Sequence, residues 1–342
     1  MRLRKTTVDS SSSPMMTTLG SHVKHLLTQY VKASGRRIRA VLPKILAQKG
    51  FRCPPSIPDG AEEMLATRAP AAHFGAFSAT LSMATSLRTI GSTAVRTLLD
   101  DQQNPVLLPA TPTRVVSIVP SLTESVAATD ARLLVGATDW CTHPADLEVT
   151  RVRGPKNPDL ERIAGLAPDV VLANAEENRA VDLDALRAAG IAVWVTAPAT
   201  VGEALDSLDR MLSAITGSSP SWLGAARETW RTPYAGPRRR AVIPIWRRPW
   251  MALGRDTFAG DLLARLGIDN VLADSAERYP RIELDALPPY DLVVLPDEPY
   301  AFSADDGPEA FAAPALCVSG RHLTWYGPSL VEARAVLSGQ LA

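Results

Sequence analysis

From residue 99 onward, short apolar runs of strand length alternate with segments whose apolar residues recur at helical spacing. The run RVVSIVP, Arg114–Pro120, is rich in β-branched residues. It leads directly into SLTE, which reads as a capping box with Ser121 as N-cap and Glu124 three residues on. LLVGAT, DVVLAN and AVWVTA predict further strands. A helix is expected from about Leu160 to Leu166, and another in DLDALRAAG, closed by its glycine. TVGE at Thr200 is a second capping box; behind it Leu205, Leu208, Leu212 and Ile215 share one helix face before Gly217. SPSWLGAARETW, Ser219–Trp230, predicts another helix, with Pro220 in its first turn. After this strand-free stretch the alternation restarts with strand RAVIPIW, helix FAGDLLARLG, a helix near ELDAL, strands DLVVLP and ALCVSG, and a closing helix PSLVEARAVLSGQ.

Such alternation implies mostly parallel sheets, so the fold class expected is α/β: two three-layer α/β lobes joined by a long helical connector, with a cleft between them. The expected boundaries are 99–201 for the N-terminal lobe, 202–235 for the connector and 236–342 for the C-terminal lobe. Residues 1–98 read as a loosely specified, disordered basic extension, with a serine run, one basic helix and a Pro-rich CPPSIPDG. The halves share a pattern. DLERIAGLAPDVVLANAEEN and ELDALPPYDLVVLPDEPY both run from an acid through a short apolar helix and an aspartate to an apolar strand with an acidic end. Glu176 and Glu177 therefore fall on one lip of the cleft and Glu298 on the other.

A chain of 342 residues with 46% hydrophobic content has enough apolar material for two cores. Lys+Arg and Asp+Glu balance at 36 each, yet residues 1–100 hold 14 basic against 5 acidic, leaving 22 against 31 in the rest. An acidic body excludes nucleic acid as its main ligand, because phosphate binding needs clustered cations. Cys53, Cys141 and Cys317 are too few for a disulfide framework and leave a Cys141–Cys317 bridge as the pairing to consider. No apolar run is long enough to span a bilayer. The first residues have positive charge without an apolar segment behind it, and no lipobox cysteine follows. The sequence as given thus reads as cytoplasmic, and as extracytoplasmic only if its start is misassigned; an internal start at Met64 would place 69–87 as an export signal.

Phosphate-loop, dinucleotide, zincin, CxxC and nucleophile-elbow motifs are absent from the sequence. What remains is chemistry at strand ends, where α/β sheets expose their binding loops. DWCTHP offers Trp140, Cys141 and His143. AEENR offers Glu176, Glu177 and Arg179, and PIWRRPW offers Trp246, Arg247, Arg248 and Trp250. DEPY adds Glu298 and Tyr300, and RHLTWYG adds Arg321, His322, Trp325 and Tyr326. Arginine forks suit ligand carboxylates or phosphates, aromatic faces suit flat apolar surfaces, and acids accept from amides or hydroxyls. A second reading makes Cys141, His143 and His322 the ligands of a metal-dependent hydrolase or corrinoid-handling enzyme; it requires those three side chains to converge.

The opening DDQQNPVLLPATPTRVVSIVPSLTE, then VGATDWCTHPAD and GPKNPDLERIAGLAPDVVLA, resemble the helical-backbone metal receptors, the class III periplasmic binding proteins of cobalamin and ferric-siderophore importers. The resemblance spans about residue 99 to the end and is looser in the second lobe. It implies two lobes bridged by one long helix with little hinge motion, and a non-enzymatic, monomeric substrate-binding protein. It also implies a metal chelate, a corrinoid or ferric complex, held as cargo with no resident cofactor or metal. Glu161 and Asp285 match the acids that dock such receptors onto the arginines of an ABC permease; Asp285 is shorter than the usual glutamate.

Overall fold

The computed structural model describes residues 95–342, so the expectations for the basic extension and the internal export signal lie outside the described residues. In chain order the strands are β1 (Val95–Leu99), β2 (Pro105–Pro109), β3 (Val115–Ser117), β4 (Leu134–Ala137), β5 (Thr150–Arg151), β6 (Arg153–Gly154), β7 (Asn157–Pro158), β8 (Val170–Asn174), β9 (Val193–Thr196), β10 (Arg239–Val242), β11 (Pro244–Arg247), β12 (Trp250–Ala252), β13 (Ile268–Asn270), β14 (Leu292–Pro296) and β15 (Ala315–Val318). The helices are α1 (Pro120–Asp130), α2 (Leu160–Gly165), α3 (Ala180–Ala188), α4 (Val201–Thr216), α5 (Ser221–Thr229), α6 (Phe258–Ala264), α7 (Gly320–Thr324) and α8 (Leu330–Gln340).

Two parallel sheets carry the fold, one per lobe: β5-β4-β3-β8-β9 and β13-β10-β14-β15. In the first, the chain moves from β3 to one edge and returns to build β8 and β9 on the other side. The strand order therefore reverses between β3 and β8. The second sheet reverses between β10 and β14. Such reversals open a crevice at the carboxyl ends of the strands, where α/β folds bind ligands.

Burial follows strand alternation. Val170 and Leu172 of β8 and Leu292 and Val294 of β14 join one large apolar cluster, whereas Val171 with Ala173, and Val293 with Leu295, face two smaller clusters on the outer sides of the sheets. The large cluster crosses from lobe to lobe. Its centre is α4, which lays Val201, Leu205, Leu208, Met211, Leu212 and Ile215 against both sheets' inner sides. Opening the lobes would expose part of this shared core, and each aliphatic side chain uncovered costs about 1.5–3 kcal/mol. A hairpin, β1–β2, pins the back of the first lobe. Asp101 at its turn accepts from Ser207 Oγ at 2.6 Å and from Arg210 at 2.7 Å, both on α4.

Several local expectations change. α1 begins at Pro120, so Ser121 is not its cap: the residue before the helix is Val119, and the Ser121 hydroxyl is buried without a partner. Proline at the first helical position gives up no hydrogen bond, which lets the helix start early and leaves Glu124 available for other contacts. By contrast, the Thr200–Glu203 capping box is complete on α4. The connector is two helices, as its two sequence signals predict, where the resemblance implies one long helix: Gly217 stops α4 at φ 83° and α5 starts only after Pro220. RAVIPIW splits into β10 and β11: Pro244 has no N–H to extend the ladder, and the chain turns into the β11–β12 hairpin. The ELDAL helix is a single 3-10 turn, Leu284–Ala286. Cys141 and Cys317 are both free thiols, one buried in the first lobe and one exposed on β15, so the bridge does not form.

Candidate functional site

The carboxyl end of β8 sets the geometry. Asn174 Oδ1 accepts from the backbone N–H of Glu176 (2.8 Å) and Glu177 (3.1 Å), an Asx turn that curls the chain as it leaves the sheet. Asn178 locks the curl by accepting from Asn174 N at 2.8 Å and donating to the carbonyls of Pro155 (3.0 Å) and Ile118 (3.3 Å). Lys156 Nζ donates to the Glu176 carbonyl at 2.5 Å. The two glutamates then part. Glu176 crosses to the second lobe, where it pairs with Arg278 and accepts from the Tyr279 hydroxyl.

On the opposite lip, β14 ends at Pro296, and Asp297 accepts from Gly320 N at 2.6 Å. Gly320 is needed there, because a Cβ would sit 2.7 Å from Glu298 N, a backbone atom that cannot give way. This close approach presents Glu298 to the cleft. Glu177 keeps partial solvent contact, yet burial lifts its carboxyl from the usual 4.5 to about 7; Lys156 opposes the shift, while Glu176 and Glu298 reinforce it. Glu298 is also pushed up, chiefly by burial and then by Asp297, against the pull of Trp325 and Arg321. Burial thus raises one acid on each lip of the junction.

Three more contacts join the lobes. Arg321 on α7 pairs with Glu124 on α1. The Tyr326 hydroxyl, buried at the junction, accepts from Asn174 Nδ2 at 2.6 Å and lies 2.7 Å from Thr196 Oγ1 at the end of β9. His143 sets its ring edge-on to Trp325, centroids 5.4 Å apart. Trp140, three residues before His143 on the same loop, is 68% exposed and lies against Gly154.

The model of the periplasmic binding protein family matches residues 115–291, just over half of the chain. The chain belongs to that family. Among relatives, the vitamin B12-binding protein of Vibrio cholerae is 25% identical over 181 residues, covering 50% of this chain and 65% of its own length. The chain thus aligns with just under two thirds of that protein. In fold it is similar to the crystal structure of the periplasmic vitamin B12-binding protein of Vibrio cholerae (TM-score 0.55, 18% identity, 67% of this chain and 96% of the other). It is similar too to a periplasmic heme-binding protein of Roseiflexus in apo form (TM-score 0.51, 18% identity, 67% and 99%). This is a family of non-enzymatic binding proteins.

Placed in this family fold, the residues singled out from the sequence divide. His143, Glu176, Arg321, Trp325 and Tyr326 make contacts where the lobes meet; Glu177 and Glu298 lie in the loops that carry those contacts, and Trp140 lies against Gly154 of its own lobe. Arg179 does not: it is exposed and paired with Asp182 at 2.7 Å on its own helix. The β11–β12 hairpin carries its own knot, in which Arg247 pairs with Asp306 and Glu309 and lies over Trp250. Trp250 packs on Phe302 and Phe311, Trp246 stands edge-on to Tyr300, the Tyr300 hydroxyl donates to Asp306 at 2.7 Å, and Arg248 is exposed. Those aromatics pack a local structure first.

The enzyme alternative is not favoured. The Cys141 thiol is bracketed by Thr123 and Thr138 at 3.0 Å each, and burial raises its pKa, the reverse of an activated nucleophile. His322 is engaged by Ser319 (2.7 Å) and Glu332 (3.1 Å). Among the described residues no group of three or more His, Cys, Asp or Glu side chains is arranged to hold a metal ion. Residues not foreseen as part of the site are Glu124, Lys156, Asn174, Asn178, Thr196, Arg278 and Tyr279. Only the asparagines carry a readable signal, as turn formers at a strand end.

Proposed function

We propose that this chain is a substrate-binding protein that holds a metal chelate of the corrinoid, heme or ferric-siderophore type between its lobes and hands it to an ABC permease. The observation that carries this reading is the meeting of loops from the carboxyl ends of both parallel sheets, where Tyr326 bonds Asn174 and Thr196 and His143 stands edge-on to Trp325, with Glu177 and Glu298 in the same loops. Aromatic surfaces suit the planar apolar face of a macrocycle, and facing carboxyls suit amide or hydroxyl donors at its edge. The names of the relatives, vitamin B12 and heme binders, support the same ligand class. Arg278 and Arg321 are already engaged by Glu176 and Glu124, so ligand carboxylates would meet arginines only by displacing those acids.

Glu161, exposed in the first turn of α2, and Asp285, exposed in the 3-10 turn of the second lobe, are the proposed docking acids for the permease. Each lies in a short helical turn that precedes an inner strand of its lobe's sheet, β8 and β14. The test is native mass spectrometry of the full chain with cyanocobalamin, hemin and a panel of ferric siderophores. One retained molecule from this panel per chain is expected; no retention of any of them would refute the ligand class.

A further inference from the structure

Two donors of the second lobe converge on one carboxylate of the first: Arg278 pairs with Glu176, and the Tyr279 hydroxyl donates to it. Backbone bonds fix the donors in place. Their loop leaves β13 and lies along β12, where Gly254 N donates to the Arg278 carbonyl at 2.8 Å and Ala252 N to the Pro280 carbonyl at 3.1 Å. Gly254 is needed for this approach, because a Cβ there would collide with the Glu277 carbonyl. Burial, reinforced by Glu176, pushes the Tyr279 pKa up, so its hydroxyl stays a donor. A guanidinium beside a hydroxyl is a carboxylate-binding pair, and its occupant here is Glu176. We propose that Glu176 is a specificity-determining residue: it fills this anion-binding pair from within, so that the cleft takes a neutral, amide-bearing chelate and turns away the same chelate carrying free carboxylates. This rests on the inter-lobe cleft being the binding site, and it adds the ligand charge that the cleft selects.

Neighbouring charges point the same way. Arg321, which also reaches across the junction, is paired with Glu124 and Glu332. Lys156 is exposed and bonds the Glu176 carbonyl at 2.5 Å. Arg151 is turned into its own lobe, where it holds the carbonyls of Thr138 and Cys141 at 3.0 Å each and of Leu147 at 3.1 Å. Glu177 and Glu298, in the same loops as the clasps, make no ion pair among the described residues, so they add negative charge or, when protonated, none. An incoming carboxylate therefore finds each of these cations engaged. It has to displace Glu176, which strands that acid, or stay among like charges. A ligand amide meets neither cost. Its carbonyl can accept from a neutralised donor such as Arg278, whose Nε is buried without a hydrogen-bond partner, and its NH2 can donate to a carboxyl.

The test is tryptophan-fluorescence titration of the full chain with two matched pairs of macrocycles. One pair is cyanocobalamin and its monocarboxylic acid, in which one side-chain amide is hydrolysed; the other is hemin dimethyl ester and hemin. Within a pair the shape is kept and the charge changes. In the pair that binds, the neutral member should bind about tenfold more tightly, the value of one hydrogen bond to a charged group. In Glu176→Gln, which frees the Arg278 charge, that preference should be lost or reversed, and Glu176→Gln/Arg278→Gln should restore it. Equal or tighter binding of the acidic member by the parent overturns the filter whether or not the variants fold. So does a preference that is unchanged in Glu176→Gln, or one still lost in the double variant. Each of these results leaves the ligand-binding proposal standing, since a chelate has bound. Failure of all four compounds to bind overturns the filter too, and the ligand class falls with it only when the ferric siderophores are not retained either.

Discussion

Removing one oxygen atom tests the lobe junction directly. In Tyr326→Phe the ring keeps its edge contact with Phe258, 5.6 Å between centroids, while two buried hydrogen bonds disappear, to Asn174 Nδ2 and Thr196 Oγ1. Neither partner is orphaned. Asn174 Nδ2 still donates to the Thr196 carbonyl at 3.1 Å, and Thr196 Oγ1 still donates to the Ala173 carbonyl at 3.1 Å. The loss is therefore the net value of two bonds, about 1 kcal/mol each, without the larger penalty of a stranded polar group. Urea unfolding should show a destabilisation of about 2 kcal/mol with an unchanged slope. Pairing it with Thr196→Val in a double-mutant cycle isolates the inter-lobe bond, because the Thr196–Ala173 bond is lost equally in both backgrounds. A coupling of about 1 kcal/mol is expected. Additivity within about 0.3–0.5 kcal/mol would refute the claim that this hydroxyl ties the lobes together.

Glu177→Gln should stabilise the fold with a distinct pH profile. A carboxyl raised from 4.5 to about 7 keeps its proton longer in the folded chain, so its cost is absent below pH 4.5, grows up to pH 7 and is constant above; at 1.36 kcal/mol per pH unit it reaches about 3 kcal/mol. Parallel wild-type and variant stability curves between pH 4 and 8 would count against it. Leu208→Ala, at a fully buried position of α4, should cost about 2–5 kcal/mol in the same unfolding assay; less than 1 would mean that the shared core is not centred on this helix. Glu161→Lys and Asp285→Lys, both exposed, should shift stability by no more than about 0.5 kcal/mol and leave ligand retention intact, while abolishing stimulation of the cognate permease ATPase. Undiminished stimulation would remove them as docking acids.

Much of the architecture was legible because its signals are local. Apolar runs such as VVLAN and LVVLP are buried on both faces, as parallel strands must be, and the α4 stripe with its capping box needs no long-range information. The acidic strand ends were likewise visible as a repeated pattern. Contacts between distant segments were not. Glu124 looks like half of a capping box and instead meets Arg321, 197 residues away, and Glu176 looks like a free rim acid and instead meets Tyr279, 103 residues away. The PIWRRPW arginines and tryptophans resembled a ligand surface because their local partners, Asp306, Glu309, Phe302 and Phe311, lie more than 50 residues on in the sequence. A sequence lists which groups need partners; the fold decides which partners are already taken.

The central claim is that ligand sits where the two sheets' carboxyl ends converge, and hydrogen-exchange mass spectrometry of the full chain tests it most directly. Comparing the chain alone with the chain saturated by whichever panel chelate it retains, added protection should concentrate in 138–143, 174–179, 297–300 and 319–326. Protection confined to the groove lined by Thr200, Arg255, Asp256 and Asp269, or to no segment at all, would contradict the account.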